Sequence, residues 1–220
     1  MNTLADKKIA KVVAKELLKI HAVTINTVKP YRYVSGILAP IYTDNRLIMS
    51  HPNVWNMIID NYIKVIHKKF SHTDVLSGTA TAAIPHTSVL AYRLGIPMVY
   101  VRSAKKEHGK ENLIEGEFPR KSRVLIIEDL ISTGKSIGIN VQAIRGAGGT
   151  VSHCLAITTS TISAFAENIH GLKIKLITLT NIETIIDTAV REKYITKKES
   201  EIVHTFLKDP KGWGSKMGFE

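Results

Sequence analysis

One thirteen-residue stretch constrains this chain more than any other: Val124-Leu125-Ile126-Ile127-Glu128-Asp129-Leu130-Ile131-Ser132-Thr133-Gly134-Lys135-Ser136. Four consecutive apolar residues form a run too short for a buried helix, and it contains β-branched residues. It reads as a strand covered on both faces, the habit of parallel sheets. Two acids stand at its carboxyl end and a short loop of hydroxyl residues and glycine follows. Ile137, Val141 and Ile144 then share one face at helical spacing, and Gly146, Gly148 and Gly149 mark where that helix stops. A buried strand, a tight loop and an amphipathic helix make a βα unit, and such units stack into α/β folds.

The remaining sequence repeats the rhythm. Strands are expected at 75–76, 96–101, 151–158 and 172–179, and helices at 54–70, 85–94, 135–145 and 162–170. Ile9, Val12, Val13 and Leu17 predict an amphipathic helix near the amino terminus. The expected fold is therefore one α/β domain over residues 1–220, with a mostly parallel central sheet flanked by helices. Residues 1–52 supply a helix and a small hood dense in Pro, Tyr, Asn and Ser. Residues 102–122, charged and without periodicity, read as a long mobile loop, and residues 181–220 as a helical tail.

The chemistry follows from where such motifs sit. Ligands of open α/β sheets bind beyond the carboxyl ends of the strands. Backbone N–H groups at a helix start, joined by the hydroxyls of Ser132, Thr133 and Ser136, make a cradle for a phosphate, and Gly134 lets the backbone come close. Carboxylates are poor neighbours for phosphate, so Glu128 and Asp129 need a different role. Accepting hydrogen bonds from vicinal sugar hydroxyls, or orienting water around a metal, suits them. Two acids that merely cap the next helix are the plainer alternative for the pair alone, but that leaves the rest of the stretch unexplained. The spaced glycines of a Walker A loop are missing.

The arrangement resembles the signature of the type I phosphoribosyltransferases. The resemblance implies that Glu128 and Asp129 hold the ribose 2′ and 3′ hydroxyls of phosphoribosyl pyrophosphate (PRPP), and that residues 132–136 bind its 5′-phosphate. Further stretches are similar to the orotate phosphoribosyltransferase family: Tyr33-Val34-Ser35-Gly36-Ile37-Leu38-Ala39-Pro40-Ile41-Tyr42-Thr43-Asp44-Asn45-Arg46, the loop Gly78-Thr79-Ala80-Thr81-Ala82-Ala83-Ile84-Pro85-His86, and the closing Asp209-Pro210-Lys211-Gly212-Trp213. Arg102, Lys106, His108 and Gly109, continued by Asn112-Leu113-Ile114-Glu115-Gly116, look like that family's mobile lid. The sequence departs from the family pattern at Leu38-Ala39, which replaces a Lys-Ser pair, at Ala83 in place of glycine, and at Ser103 in place of a basic residue.

What the resemblance implies is an enzyme, a pentosyltransferase of pyrimidine biosynthesis that joins PRPP to orotate and yields orotidine 5′-monophosphate and pyrophosphate. Arg102, Lys106, His108 and Asp129 are the expected catalytic residues. Glu128, Asp129, Leu130, Ile131, Ser132, Thr133, Gly134, Lys135 and Ser136 would contact PRPP, with Thr79, Ala80 and Thr81 on the pyrophosphate side. Ser132, Ser35, Gly36 and Tyr42 would face the base. Mg²⁺ is the expected cofactor, bridged through PRPP near Glu128 and Asp129 without a direct protein ligand set. A homodimer whose lid acts on the neighbouring subunit is implied in the same way. The lid makes sense physically, because three positive or proton-donating groups can neutralise charge building on a leaving pyrophosphate.

Two alternatives stay open at this level. Departures around the base pocket fit a phosphoribosyltransferase for another base, such as a purine. The formal charge of +11 fits a nucleic-acid-binding regulator on the same fold, although no helix-turn-helix, zinc-ligand or aromatic RNA-binding pattern accompanies it. No apolar run is long enough to cross a bilayer, and the single cysteine, Cys154, reads as a small core residue. A cytoplasmic protein without a membrane partner is the expectation.

Overall fold

The computed structural model describes residues 2–104, 113–159 and 171–219. Its strands are β1 (Asn2–Leu4), β2 (Val23–Ile25), β3 (Tyr31–Arg32), β4 (Leu38–Ala39), β5 (Ile41–Thr43), β6 (Val75–Thr79), β7 (Met98–Val101), β8 (Ile114–Glu115), β9 (Arg123–Ile131), β10 (Thr150–Thr159) and β11 (Lys175–Thr178). Its helices are α1 (Lys7–Lys19), α2 (Pro52–Lys69), α3 (Ala83–Leu94), α4 (Lys135–Gly146), α5 (Ile182–Arg191), α6 (Lys197–Lys208) and α7 (Trp213–Lys216), with a 3₁₀ segment at Asn45–Ser50. The helix expected at 162–170 lies outside the described residues.

Seven strands form the main sheet in the order β1-β11-β10-β9-β6-β7-β8, all parallel except β8. The α/β expectation holds. Successive β9 side chains part to opposite faces, as the pleat requires. Leu125 and Ile127 join the core shared with α1, α2, α3 and α5, while Val124 and Ile126 pack with Ile137, Val141 and Ile144 of α4. Cys154 is fully buried on the α4 side.

The chain lays β7 on one side of β6, then returns to place β9, β10 and β11 on the other. The switch point therefore falls between β6 and β9, where an open parallel sheet leaves a crevice at its carboxyl edge.

Three boundaries differ from the sequence reading. The central strand does not stop at Ile127 but runs through both acids to Ile131, because β10 stays in register as far as Thr158↔Leu130 and Thr159↔Ile131. Within the expected loop 102–122, Ile114 and Glu115 return antiparallel against Val101 and Tyr100. Residues Asn2–Leu4 add an edge strand beside β11, too short to carry a periodic signal. The hood consists of two small antiparallel pairs, β2 with β5 and β3 with β4.

Helix ends follow local chemistry. Asp6 caps α1 by accepting from the N–H groups of Lys8 and Ile9. Thr196 and Glu199 form a reciprocal capping box at α6. The tail then folds under the hood: Trp213 is buried, its ring 5.7 Å from that of Phe206, and Gly214 packs beside Leu38. The Leu38-Ala39 departure thus lies at the seam between hood and tail, with Ala39 fully buried.

Gly78 in β6 lets α3 approach closely, since a Cβ there would lie 2.7 Å from Thr87 Oγ1. We expect Gly78→Ala to destabilise the fold by about 1–3 kcal/mol through overpacking, measured as a lower midpoint in urea denaturation.

Candidate active site

The cleft at the switch point is lined by Thr79, Ala80, Thr81 and Ala82 on one wall and by the continuous run from Glu128 to Ile137 on the other. Parallel pairing between β6 and β9 ends at Gly78↔Ile127. The last four residues of β9 are therefore held by β10 on one edge and open to the cleft on the other.

Both acids are held by their main chains. The Tyr62 hydroxyl donates to the Glu128 carbonyl at 2.7 Å, and Asn45 Nδ2 donates to the Asp129 carbonyl at 2.8 Å. The Asp129 N–H donates to Glu128 Oε1 at 3.0 Å. Each acid is nearly buried, at 6% and 9% exposure. Burial raises the Glu128 carboxyl well above its ordinary value, and the adjoining Asp129 charge pushes it further the same way. Burial also raises Asp129; hydrogen bonds from Glu128 and from the N–H of Leu130, with the charge of Arg46, oppose that rise.

The loop read as a phosphate cradle leads directly into α4 and lines the cleft. Gly134 takes a left-handed φ of 78° at the start of α4, a conformation glycine reaches at little cost. Its carbonyl opens the helix by accepting from the Gly138 N–H at 3.0 Å. Opposite, the Ala80 N–H donates to the Val101 carbonyl at 2.9 Å and the Ala80–Thr81 peptide is cis. Ala83 begins α3, and its φ is not among the positive values found at non-glycine residues. The glycine-to-alanine departure therefore fits without backbone conflict.

Not every expected residue meets here. Leu130, Ile131, Ser132, Thr133, Gly134, Lys135 and Ser136 line the cleft with Thr79, Ala80 and Thr81. Arg102 does not: its N–H donates to the Leu113 carbonyl and its guanidinium lies 3.7 Å from Glu115. Lys106 and His108 lie outside the described residues. Of the residues expected at the base, Ser132 lines the cleft. Ser35 and Gly36 are exposed in the β3–β4 turn, and Tyr42 is half exposed on β5 with its ring 5.5 Å from Tyr31.

Sequence patterns do not reveal the groups that hold the site together. Tyr62 looks like any residue of an amphipathic helix. Asn45 belongs to the hood motif, where nothing in the pattern gives it a role. Asn140 sits on the apolar face of α4 and is fully buried, bonded to Ser77 and Thr79. A polar residue within an apolar stripe was its available signal. Among the described residues no group of three or more His, Cys, Asp or Glu is placed to hold a metal ion. The acid pair offers oxygen acceptors suited to the water shell of Mg²⁺.

The crevice at the switch point thus sets a glycine-started helix opposite a polar loop, with an acid pair at the strand end. The chain matches the phosphoribosyl transferase domain family over residues 48–193, and it belongs to that family. Over 201 residues it is 46% identical to the orotate phosphoribosyltransferase of Coxiella burnetii, covering 91% of this chain and 96% of that protein. It is 42% identical to that of Enterococcus faecalis, covering 94% of this chain and 99% of the relative. The crystal structure of the Aeropyrum pernix orotate phosphoribosyltransferase superposes with a TM-score of 0.72 at 26% identity, covering 84% of this chain and 99% of that one. With these relatives the chain belongs to the orotate phosphoribosyltransferase family.

The raised Glu128 carboxyl has a consequence for stability. Its unfolded value is near 4.5 and its folded value is higher, so stability is greatest below the unfolded value and is lost as pH rises through the folded one. Glu128→Gln removes that loss. We expect the variant to be more stable than the wild type at pH 8, with the difference shrinking toward pH 4 in urea titrations.

Proposed function

We propose that this protein transfers the 5-phosphoribosyl group of PRPP to orotate, forming orotidine 5′-monophosphate and releasing pyrophosphate. The observation that carries the reading is the acid pair Glu128–Asp129 at the open edge of β9, facing the Thr79–Ala82 loop and joined directly to the cradle at 132–136. The kinship with orotate phosphoribosyltransferases over more than nine-tenths of the chain supports the choice of base.

Each part contributes differently. The N–H groups opening α4, with Ser132, Thr133 and Ser136, bind the 5′-phosphate. Glu128 and Asp129 accept hydrogen bonds from the ribose 2′ and 3′ hydroxyls and so fix the sugar ring. Their orientation is inherited from β9, whose carbonyls Tyr62 and Asn45 hold. Thr79, Ala80 and Thr81 border the pyrophosphate. In the reaction the bond from ribose C1 to the pyrophosphate oxygen breaks, a bond from C1 to the base nitrogen forms, and the proton on that nitrogen is released to solvent or to the departing pyrophosphate. The positive charge that develops on the ring is balanced by the negative charge leaving with pyrophosphate. Arg102, Lys106 and His108 supply neutralising charge to the leaving group, and closure over the site keeps water from the activated sugar. Ser132, with Ser35, Gly36 and Tyr42 of the hood, bounds the base.

Mg²⁺ is the proposed cofactor: held with PRPP beside Glu128 and Asp129, it would supply positive charge to the departing pyrophosphate. The proposed assembly is a homodimer in which each lid serves the neighbouring site. The proposed compartment is the cytoplasm, since a multiply charged substrate such as PRPP does not cross membranes unaided. No helix among the described residues is long and apolar enough to cross a membrane.

The test is pyrophosphate release from PRPP with Mg²⁺, with and without orotate. Release should require orotate and fall by about 10²–10³-fold in Lys106→Ala. Protein that binds PRPP yet releases no pyrophosphate with orotate would overturn the choice of base. Mixing Lys106→Ala with Asp129→Asn should restore activity if the lid works across the dimer; mixtures as inactive as their components would overturn that arrangement.

A further inference from the structure

Beyond the end of β6, a hood side chain takes over a main-chain group at the open edge of β9. Just before β9 the Ser122 carbonyl accepts from the Thr150 N–H of β10, and the next carbonyl, of Arg123, accepts from the Asp74 N–H on the β6 side. Successive residues of an extended strand turn their main-chain groups to opposite edges. Positions 123, 125, 127 and 129 therefore address β6, whose pairing ends at Gly78↔Ile127. The Asp129 carbonyl is the next acceptor on that edge, and Asn45 Nδ2 donates to it at 2.8 Å. The hood thus supplies the N–H that a longer β6 would have given.

Asn45 is buried, and its Oδ1 has no hydrogen-bond partner among the described residues. A buried acceptor left unpaired is destabilising, and an apolar side chain at this position would avoid that loss. What the amide gives in return is the bond to Asp129. The segment that carries Asn45 is braced on both sides. Asp44 accepts from the Arg46 N–H at 3.1 Å and from its guanidinium at 2.7 and 2.8 Å, and the Asp44 N–H donates to the Ala22 carbonyl at 2.7 Å. Ile48, in the same 3₁₀ segment, is fully buried in the main core. Tyr42, proposed to face the base, stands three residues before Asn45 on β5. A short braced stretch and one hydrogen bond therefore join the base side of the site to the main chain of the acid pair.

We propose that Asn45 is a positioning residue that couples the two halves of the site: orotate against the hood steadies Asn45, and Asn45 steadies Asp129 for the ribose hydroxyls. Filling the base side then tightens the hold on the sugar, and by linkage the sugar tightens the hold on the base. Asn45 acts through the Asp129 main chain and not on the reacting atoms. The inference rests on the reading of Glu128 and Asp129 as ribose acceptors and of the hood as the wall of the base site.

The probe is ribose 5-phosphate, which carries the phosphate and sugar hydroxyls but has no pyrophosphate to lose. Its dissociation constant is measured by calorimetry with and without saturating orotate, for wild type, Asn45→Ala, Asn45→Asp and Tyr62→Phe. Orotate should tighten the wild type by at least about five-fold. In Asn45→Ala that tightening should fall to within about two-fold of none. Tyr62→Phe removes a bond to the neighbouring carbonyl from α2 and not from the hood, so it should keep the wild-type ratio within about two-fold. A wild type that turns over orotate but shows no tightening overturns the inference alone, as does a folded Asn45→Ala that keeps the wild-type ratio. Equal loss of the ratio in Tyr62→Phe also overturns it, because the effect then belongs to a general loosening of β9. If circular dichroism shows Asn45→Ala unfolded, Asn45→Asp, close in shape but without the donor, carries the same comparison. Both variants unfolding would assign Asn45 to the fold and overturn the coupling. Wild-type protein that binds neither ribose 5-phosphate nor PRPP overturns the functional reading and this inference with it.

Discussion

Beyond Ile127, strand β9 keeps its pairing with β10 and loses its pairing with β6. The rest of the site depends on that one-sided pairing. Four residues remain rigid because one edge is still in the ladder, and the opposite edge faces space instead of another strand. Two carboxyl groups placed there inherit the precision of a central strand while staying open to a ligand. The separation needs no special bending. It follows from the order in which the chain lays its strands, since β6 leads one way and β9 the other.

Keeping acids at that edge has an energetic consequence. Carboxylates resist burial, and two neighbours resist it more than one. The fold answers with partners from separate elements: Tyr62 from α2 and Asn45 from the hood bind the main chain, while the Asp129 N–H engages the Glu128 carboxyl. These bonds also tie the hood to the sheet through Asn45. Orientation is thereby maintained without neutralising the pair with a buried cation. The proposed receipt of sugar hydroxyls needs acceptors already aimed, and a buried ion pair would have occupied the same oxygen atoms.

The hood and tail show how distant stretches become one support. Leu38 and Ala39 depart from the family pattern, whereas the late Trp213 follows it. In three dimensions Gly214 lies against Leu38, and Trp213 packs edge-on with Phe206, whose ring lies 6.4 Å from that of Tyr33. An apolar pair in the hood is therefore matched by an apolar anchor in the tail. The arrangement accounts for the position of the closing segment, which has no catalytic residue of its own.

Much was legible from sequence because the informative features are local. Four apolar residues, two acids, a glycine loop and a helical stripe occupy adjacent positions, so the unit and its chemistry can be read along the chain. Gly134 marks its left-handed turn because only glycine adopts that conformation cheaply. The length of β9 was not legible, because its last residues are strand only by virtue of β10 beside them. Asn45, Tyr62 and Asn140 stayed hidden for a related reason: each acts on a partner more than sixty positions away. Hydrophobic periodicity records which face a residue occupies, but not which buried carbonyl or hydroxyl it will meet. The sequence by itself determined the class of fold, and it marked the acid pair and the glycine loop that line the cleft. Only the tertiary structure decided where the cleft opens and what holds the acids in it, because both arise from strands and helices brought together across the sheet.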